Sequence, residues 1–160
     1  MPIKIIAAIG QNNELGYKGD LCFHLKSDMQ FFRNTTISHP ILMGKKTFES
    51  LKGPLQGREN FVLTHHPSSL PPAFHPVKDL DKFLKKYQSK DSETLFIIGG
   101  ATLYSAALPY ADELILTEIK SACKNSDVFF PKFDKSLYKM TILQKGKEND
   151  LEYSFVSYQK

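Results

Sequence analysis

The chain has 160 residues, 41% hydrophobic and 24% charged, with 21 Lys and Arg against 17 Asp and Glu for a net charge of +4. That length predicts one domain over residues 1–160; the composition excludes a disordered chain, and the small, interspersed charge excludes a histone-like or polybasic protein while leaving room for a local anion site. Two cysteines, Cys22 and Cys123, are too few for a disulfide framework and lie at no metal-ligand spacing, which fits a reducing compartment.

The run Ile3 to Ile9 is almost continuously apolar and rich in β-branched residues, the pattern of a central strand covered on both faces. It ends at Gly10, too short for a membrane span and without a signal peptide's cleavage region, so a soluble cytoplasmic protein with no membrane partner is expected. Gln11 to Leu21 is polar and contains glycine, and reads as a loop long enough to cover a site. Ser27 with Gln30 makes a capping-box pattern, and the helix it opens runs to about Asn34 or Thr35.

Ile41 to Met43 is a short buried strand followed by Gly44 and a helix over 45–51. The same order of strand, glycine and helix recurs at Leu95 to Ile98, Gly99 with Gly100, and 101–108. Between them come a strand at Asn60 to Thr64, a proline-rich turn at Pro67 to Pro72, a strand at Phe74 to Val77 and a helix at about Leu80 to Gln88. Glu113 to Ile119 reads as a strand, and Lys139 to Gln144 with Glu152 to Tyr158 as a closing hairpin. Strands alternating with helices predict an α/β fold with a mostly parallel sheet and an antiparallel edge. Ligands of such sheets bind beyond the carboxyl ends of the strands.

Asp28 shares a helix face with Phe32, and Leu25, Met29 and Phe31 make its surroundings apolar. Two readings stay open: a carboxylate stabilised by the helix dipole, or one desolvated in an apolar pocket and able to pair with a cationic or amidine-like ligand. Gly44-Lys45-Lys46-Thr47 looks like the end of a P-loop, but the glycine that motif needs five residues earlier is His39. What remains is a strand-to-helix turn with two cations and a hydroxyl, either an anion site or a solvated basic helix end. Gly99-Gly100 offers a second such turn, and the two together fit an extended, doubly phosphorylated ligand. Arg58 is either a surface arginine or a bidentate carboxylate clamp. His65 and His66 point to opposite faces of an extended chain with no Asp or Cys at ligand spacing, so no metal is expected and contact with a phosphate is the better use.

Along nearly its whole length the sequence resembles dihydrofolate reductases. The resemblance runs through Ile5-Ile6-Ala7-Ala8, Leu15-Gly16, Asp28 with Phe31-Phe32, the stretch Pro40 to Ser50, Pro54 to Asn60, Ile97 to Ala101 with Tyr104, Leu116-Thr117 and Phe130-Pro131. It implies an eight-stranded sheet with an antiparallel C-terminal hairpin edge and four flanking helices. It also implies reduction of 7,8-dihydrofolate to tetrahydrofolate by NADPH, with hydride to C6 and a proton to N5, in a monomeric antifolate target. Asp28 is then the sole ionisable group at the pterin, supported by Thr117. Ile6, Ala8, Met29, Phe32, Leu55 and Ile98, with Tyr104, wall the folate site, and Arg58 grips the α-carboxylate of the glutamate tail. For the cofactor, the resemblance places Ala8, Leu15 and Gly16 at the nicotinamide and Gly44, Lys45, Lys46 and Thr47 on the phosphates. Leu63, Thr64 and His65 fall on the adenosine side, while Gly99, Gly100, Ala101, Thr102, Leu103 and Tyr104 close over the pyrophosphate and nicotinamide. Lys45, with Lys46 and His65, supplies charge for a 2′-phosphate, and a cis peptide between Gly99 and Gly100 is expected.

One departure stands out. Where the family usually has Pro-Trp in the active-site lid, Leu21 is followed here by Cys22 and Phe23. Phe23 can supply an aromatic wall but not the indole N–H that fixes a water near the pterin, and the proline's restriction is gone. Slower or differently pH-dependent turnover and altered antifolate affinity are expected. Two rivals are the related pyrimidine reductase of riboflavin synthesis and a degenerate, noncatalytic nucleotide-binding domain. Asp28 with the double Phe and Arg58 favour folate over the former, and the absence of a basic stripe interleaved with aromatics argues against nucleic acid.

Overall fold

The structure, a computed structural model, describes residues 2–90 and 92–160. Strand β1 (Ile3–Ile9) lies inside a sheet, and its alternating side chains feed two cores. Ile3, Ile5, Ala7 and Ile9 point into the larger one, and Ile6 into the core on the opposite face. This double burial is why β1 reads as an unbroken apolar run. The other strands of the sheet are β4 (Ile41–Met43), β5 (Asn60–Leu63), β6 (Phe74–Val77), β7 (Leu95–Gly99), β8 (Glu113–Ile119), β10 (Lys139–Glu148) and β11 (Leu151–Gln159). They lie in the order β10-β11-β8-β1-β7-β4-β5-β6. All pairings are parallel except β11 with β8 and β10 with β11. Ile5 and Ile97, paired across β1 and β7, are both fully buried, and each such side chain contributes about 1.5–3 kcal/mol of transfer free energy.

Four helices cover the two faces. Leu84 and Tyr87 of α3 (Leu80–Gln88) and Leu103 and Ala107 of α4 (Ala101–Ala107) join the larger core. Phe31 and Phe32 of α1 (Lys26–Thr36) and Phe48 of α2 (Lys45–Ser50) pack against the core on the other side. The α/β architecture with its antiparallel edge is therefore as expected. A two-residue turn, Asn149 and Asp150, both at positive φ, joins β10 to β11.

Three local expectations need correction. The segment read as a loop over 11–21 contains β2 (Glu14–Tyr17) and β3 (Asp20–Leu21), joined by a tight turn at Lys18 and Gly19 and paired with β9 (Val128–Phe129) in a second, three-stranded sheet. Ser27 does not cap α1: Leu25 occupies the N-cap and has no side chain that can accept. The two cysteines, read as too few for a disulfide framework and as fitting a reducing compartment, form a Cys22–Cys123 disulfide with their Cα atoms 6.0 Å apart.

Candidate active site

Asp28 lies in the first turn of α1, half-buried. Its Oδ1 accepts a hydrogen bond of 2.6 Å from Thr117 Oγ1. Thr117 reaches it because β1 and β8 run parallel in a register that sets Ala8 beside Thr117. Burial pushes the Asp28 carboxyl above its ordinary range; the Thr117 hydroxyl opposes this, and the nearby Glu148 charge adds to it. Glu148, the last residue of β10, takes the capping role that Ser27 lacks. Its carboxylate accepts from Lys26 N at 2.7 Å, Ser27 N at 2.9 Å and Ser27 Oγ at 2.8 Å. These bonds hold Glu148 below the usual carboxylate range. The helix carrying Asp28 is thus anchored at its first turn by the C-terminal hairpin.

Ile6, Phe32, Leu55 and Ile98 come together in one apolar cluster, and Phe32 lies one turn along α1 from Asp28. Ala8 belongs to the adjoining cluster with Leu25, Phe31 and Phe155, where Phe31 and Phe155 stack with ring centroids 4.0 Å apart. Met29, expected as a wall of the same pocket, is 60% exposed. The buried Asn60 orders the turn that carries Leu55 and Arg58: its Oδ1 accepts from Leu55 N, and its Nδ2 donates to the carbonyls of Leu55 and Arg58. Arg58 is held by bonds from Nε to the Gln56 carbonyl and from Nη1 to Thr36 Oγ1. Burial and the neighbouring Arg33 both lower its pKa. No carboxylate lies within ion-pair distance of Arg58 among the described residues, so its charge is available to an anionic ligand.

The two glycine turns meet. Gly44 N donates to the Gly99 carbonyl at 2.7 Å, and a Cβ on Gly99, at φ 137°, would stand 3.0 Å from Thr47 Oγ1. The Gly99-Gly100 peptide is cis. Gly44, Lys45, Lys46, Thr47, Gly99, Gly100, Ala101, Thr102, Leu103 and Tyr104 line a cleft of about 480 Å³, closed on another side by Leu15, Gly16 and Leu21. Ile98 lines this cleft and also packs in the cluster with Phe32 and Leu55, so the cleft and the cluster share a wall. The buried Tyr104 donates its hydroxyl proton to the Ile6 carbonyl at 2.8 Å, tying α4 to β1. Lys45 and Lys46 are exposed and have no acidic partner among the described residues. A turn at Gly99 with little room for a side chain, two strand-to-helix turns and two exposed cations suit a phosphorylated ligand.

Not every expected residue joins the cleft. Leu63, Thr64 and His65 lie outside its lining, at the end of β5, where Thr64 N donates to the Val77 carbonyl. Phe23 packs beside Leu25, Ile119 and Tyr153 and does not line the cleft. Sequence reasoning also missed Glu14, which is buried. Burial pushes its carboxyl up, but N–H bonds from Cys123 and Asn12 outweigh this and hold it below the usual range. No local pattern marks this residue, because its main partner is 109 positions away.

A parallel sheet that gathers two glycine turns beyond its strands, with a desolvated carboxylate on the neighbouring helix, defines an enzyme-like site for a phosphorylated ligand. Comparison with known proteins narrows this class. The sequence matches the family described as dihydrofolate reductase over residues 2–160. A dihydrofolate reductase of Bacillus subtilis is 37% identical over 161 residues, covering 99% of this chain and 94% of the relative. The type 3 dihydrofolate reductase of Salmonella typhimurium is 39% identical over 133 residues, covering 83% and 80% respectively. A solved structure of the dihydrofolate reductase from Enterococcus faecalis, complexed with NADP(H) and RAB-propyl, superposes with a TM-score of 0.87 at 25% identity, covering 99% of this chain and 95% of that one. The chain belongs to the dihydrofolate reductase family, and its reaction is the NADPH-dependent reduction of dihydrofolate.

Proposed function

We propose that Asp28 is the catalytic carboxylate and Thr117 its positioning partner. The observation that carries this is the 2.6 Å bond from Thr117 to a carboxylate desolvated at the carboxyl edge of the central strands. Ionised Asp28 accepts hydrogen bonds from the 2-amino group and ring nitrogen of the pterin, which offsets its desolvation. Because its pKa is raised, it also holds a proton at its carboxyl oxygens to higher pH than a solvated aspartate, the property general acid–base work requires. Thr117 fixes the rotamer and shares the pterin amino group. Ile6, Ala8, Phe32, Leu55 and Ile98 exclude water from the ring, Met29 and Tyr104 complete the pocket, and Arg58 binds the tail carboxylate. Bound NADPH supplies the hydride that goes to C6, while N5 takes the proton.

Gly44, Lys45, Lys46 and Thr47 with Gly99, Gly100, Ala101, Thr102 and Leu103 bind the phosphates and the nicotinamide ribose. Lys45, Lys46 and His65 select the 2′-phosphate, with Leu63 and Thr64 on the adenosine side. Ala8, Leu15 and Gly16 face the nicotinamide, and the segment through Leu21, Cys22 and Phe23 is the lid. The 160 residues work as one domain and one monomer in the cytoplasm, without nucleic acid; the mild charge supports the last point, and no helix among the described residues is long and apolar enough to cross a membrane. A steady-state assay following nicotinamide absorbance tests the reading. Dihydrofolate-dependent loss of absorbance with NADPH, and much less with NADH, is expected; equal rates with both would refute the assigned role of the lysines.

A further inference from the structure

We propose that Cys22 and Cys123 form a reversible thiol–disulfide site, exchanging with a dithiol or its cyclic disulfide, which sets how far the wall over the cofactor cleft can swing. This rests on assigning that cleft to NADPH. Cys22 follows β3 directly, and Cys123 lies in the connection from β8 to β9. Both residues are partly exposed. The two segments already meet through polar contacts: Asp127 N and Ser126 Oγ donate to the Gly16 carbonyl at 3.0 and 2.9 Å, and Lys18 N donates to Asp127 Oδ2 at 3.2 Å. β2 also pairs with β9, and Cys123 N donates to the buried Glu14 at 2.7 Å; all of these contacts are non-covalent and can break and re-form with water at small net cost. A disulfide does not yield in this way, because it holds its two Cα atoms within about 7 Å of each other.

The segment it restrains includes the exposed Tyr17, Gly19 and Leu21, which line one side of the cleft beyond the core-anchored Leu15. A bound dinucleotide leaves when that side moves, and in many enzymes such lid motion sets the rate of release. Sequence position makes the restraint specific: Cys22 is the first residue beyond β3, so the bond sits at the hinge end of the strand pair and not at its tip.

The chemistry is balanced without NADPH. A thiolate of the dithiol attacks one cysteine sulfur, forming a mixed disulfide while the other sulfur leaves as a thiolate and takes a proton. The second thiol of the reductant then attacks the mixed disulfide and frees the first cysteine. Two electrons and two protons reach the protein, and the dithiol leaves as its cyclic disulfide; oxidation is the reverse. A bond of this kind between partly exposed residues is the sort that cycles.

The test uses the full-length protein equilibrated with dithiothreitol or with its cyclic disulfide. Thiols are counted by alkylation and mass, backbone amide exchange is followed over 14–22, and NADPH dissociation is timed after a chase. The expected result is loss of both free thiols on oxidation, slower amide exchange in the oxidised form and NADPH release several-fold slower than in the reduced form. Cys123→Ser should behave as the reduced form in either buffer. Free thiols persisting after oxidation, or equal amide exchange in the two forms, overturns the clamp. Equal NADPH release with unequal exchange overturns its effect on the cofactor. Failure of both forms to bind NADPH overturns the cleft assignment instead, and the exchange result then decides the clamp alone.

Discussion

Asp28 carries a cost that its function explains. Burial raises its pKa above the ordinary 3.8, so between that value and the raised one the native state holds more protons than the unfolded chain. Stability therefore falls as pH rises through that window, and the loss persists above it. Asp28→Asn keeps the shape and an oxygen to accept from Thr117 while removing the charge. Turnover should fall about a hundred- to ten-thousandfold, yet urea unfolding at neutral pH should show a variant at least as stable as the parent, the difference closing toward acid pH. Comparable activity in the two proteins would remove Asp28 from the reaction. The apolar setting of Asp28 was legible because Phe31 and Phe32 follow it at helical spacing, but that pattern left a helix-dipole carboxylate and a pocket carboxylate both open, and only the family resemblance chose between them. Its partner Thr117 was legible only through the family resemblance, since nothing local to Leu116-Thr117 says which strand lies beside it.

At the scale of elements, the glycine turns and the cap of α1 show opposite degrees of legibility. Met43-Gly44-Lys45 and Ile98-Gly99-Gly100 announce strand, turn and helix within a few residues, because the backbone conformation that needs glycine is local. Gly99→Ala tests this: a Cβ at φ 137°, 3.0 Å from Thr47 Oγ1, should cost about 1–3 kcal/mol, read as a lower unfolding midpoint and weaker NADPH binding in a fluorescence titration. The cap was not legible. Ser27 and Gln30 carry the right letters, but the acceptor is Glu148, 121 positions from Ser27, delivered by a hairpin whose register depends on the Asn149-Asp150 turn. Glu148→Ala should lower the unfolding midpoint, and Glu148→Gln should restore much of it by keeping an acceptor. Both variants remove a negative charge that raises the Asp28 pKa, so the limb of the rate–pH profile that reports Asp28 should move to lower pH in each. A shift in the alanine variant alone would mean that helix position, and not charge, sets the profile.

Over the whole molecule, the net charge of +4 has a local meaning, since Lys45, Lys46 and Arg58 all lie without acidic partners among the described residues. Ligand binding should therefore be visible as stability. A hundredfold excess of NADPH over its dissociation constant should add about 2.7 kcal/mol, NADH at equal concentration should add less, and Lys45→Ala should narrow the gap in a thermal scan. The disulfide has a consequence of another kind. While oxidised, it makes the polypeptide from Cys22 to Cys123 a closed ring, 101 positions around. The exposed stretch near Pro71 and Pro72 lies inside that ring and carries β1 to β5 on one side and β6 to β11 on the other. A protease cut there would run as one band on a gel without reductant and as two after dithiothreitol. Until reduction, Asp28 and Gly44 from one fragment would stay covalently joined to Gly99 and Thr117 from the other, so a severed chain could keep both halves of its site.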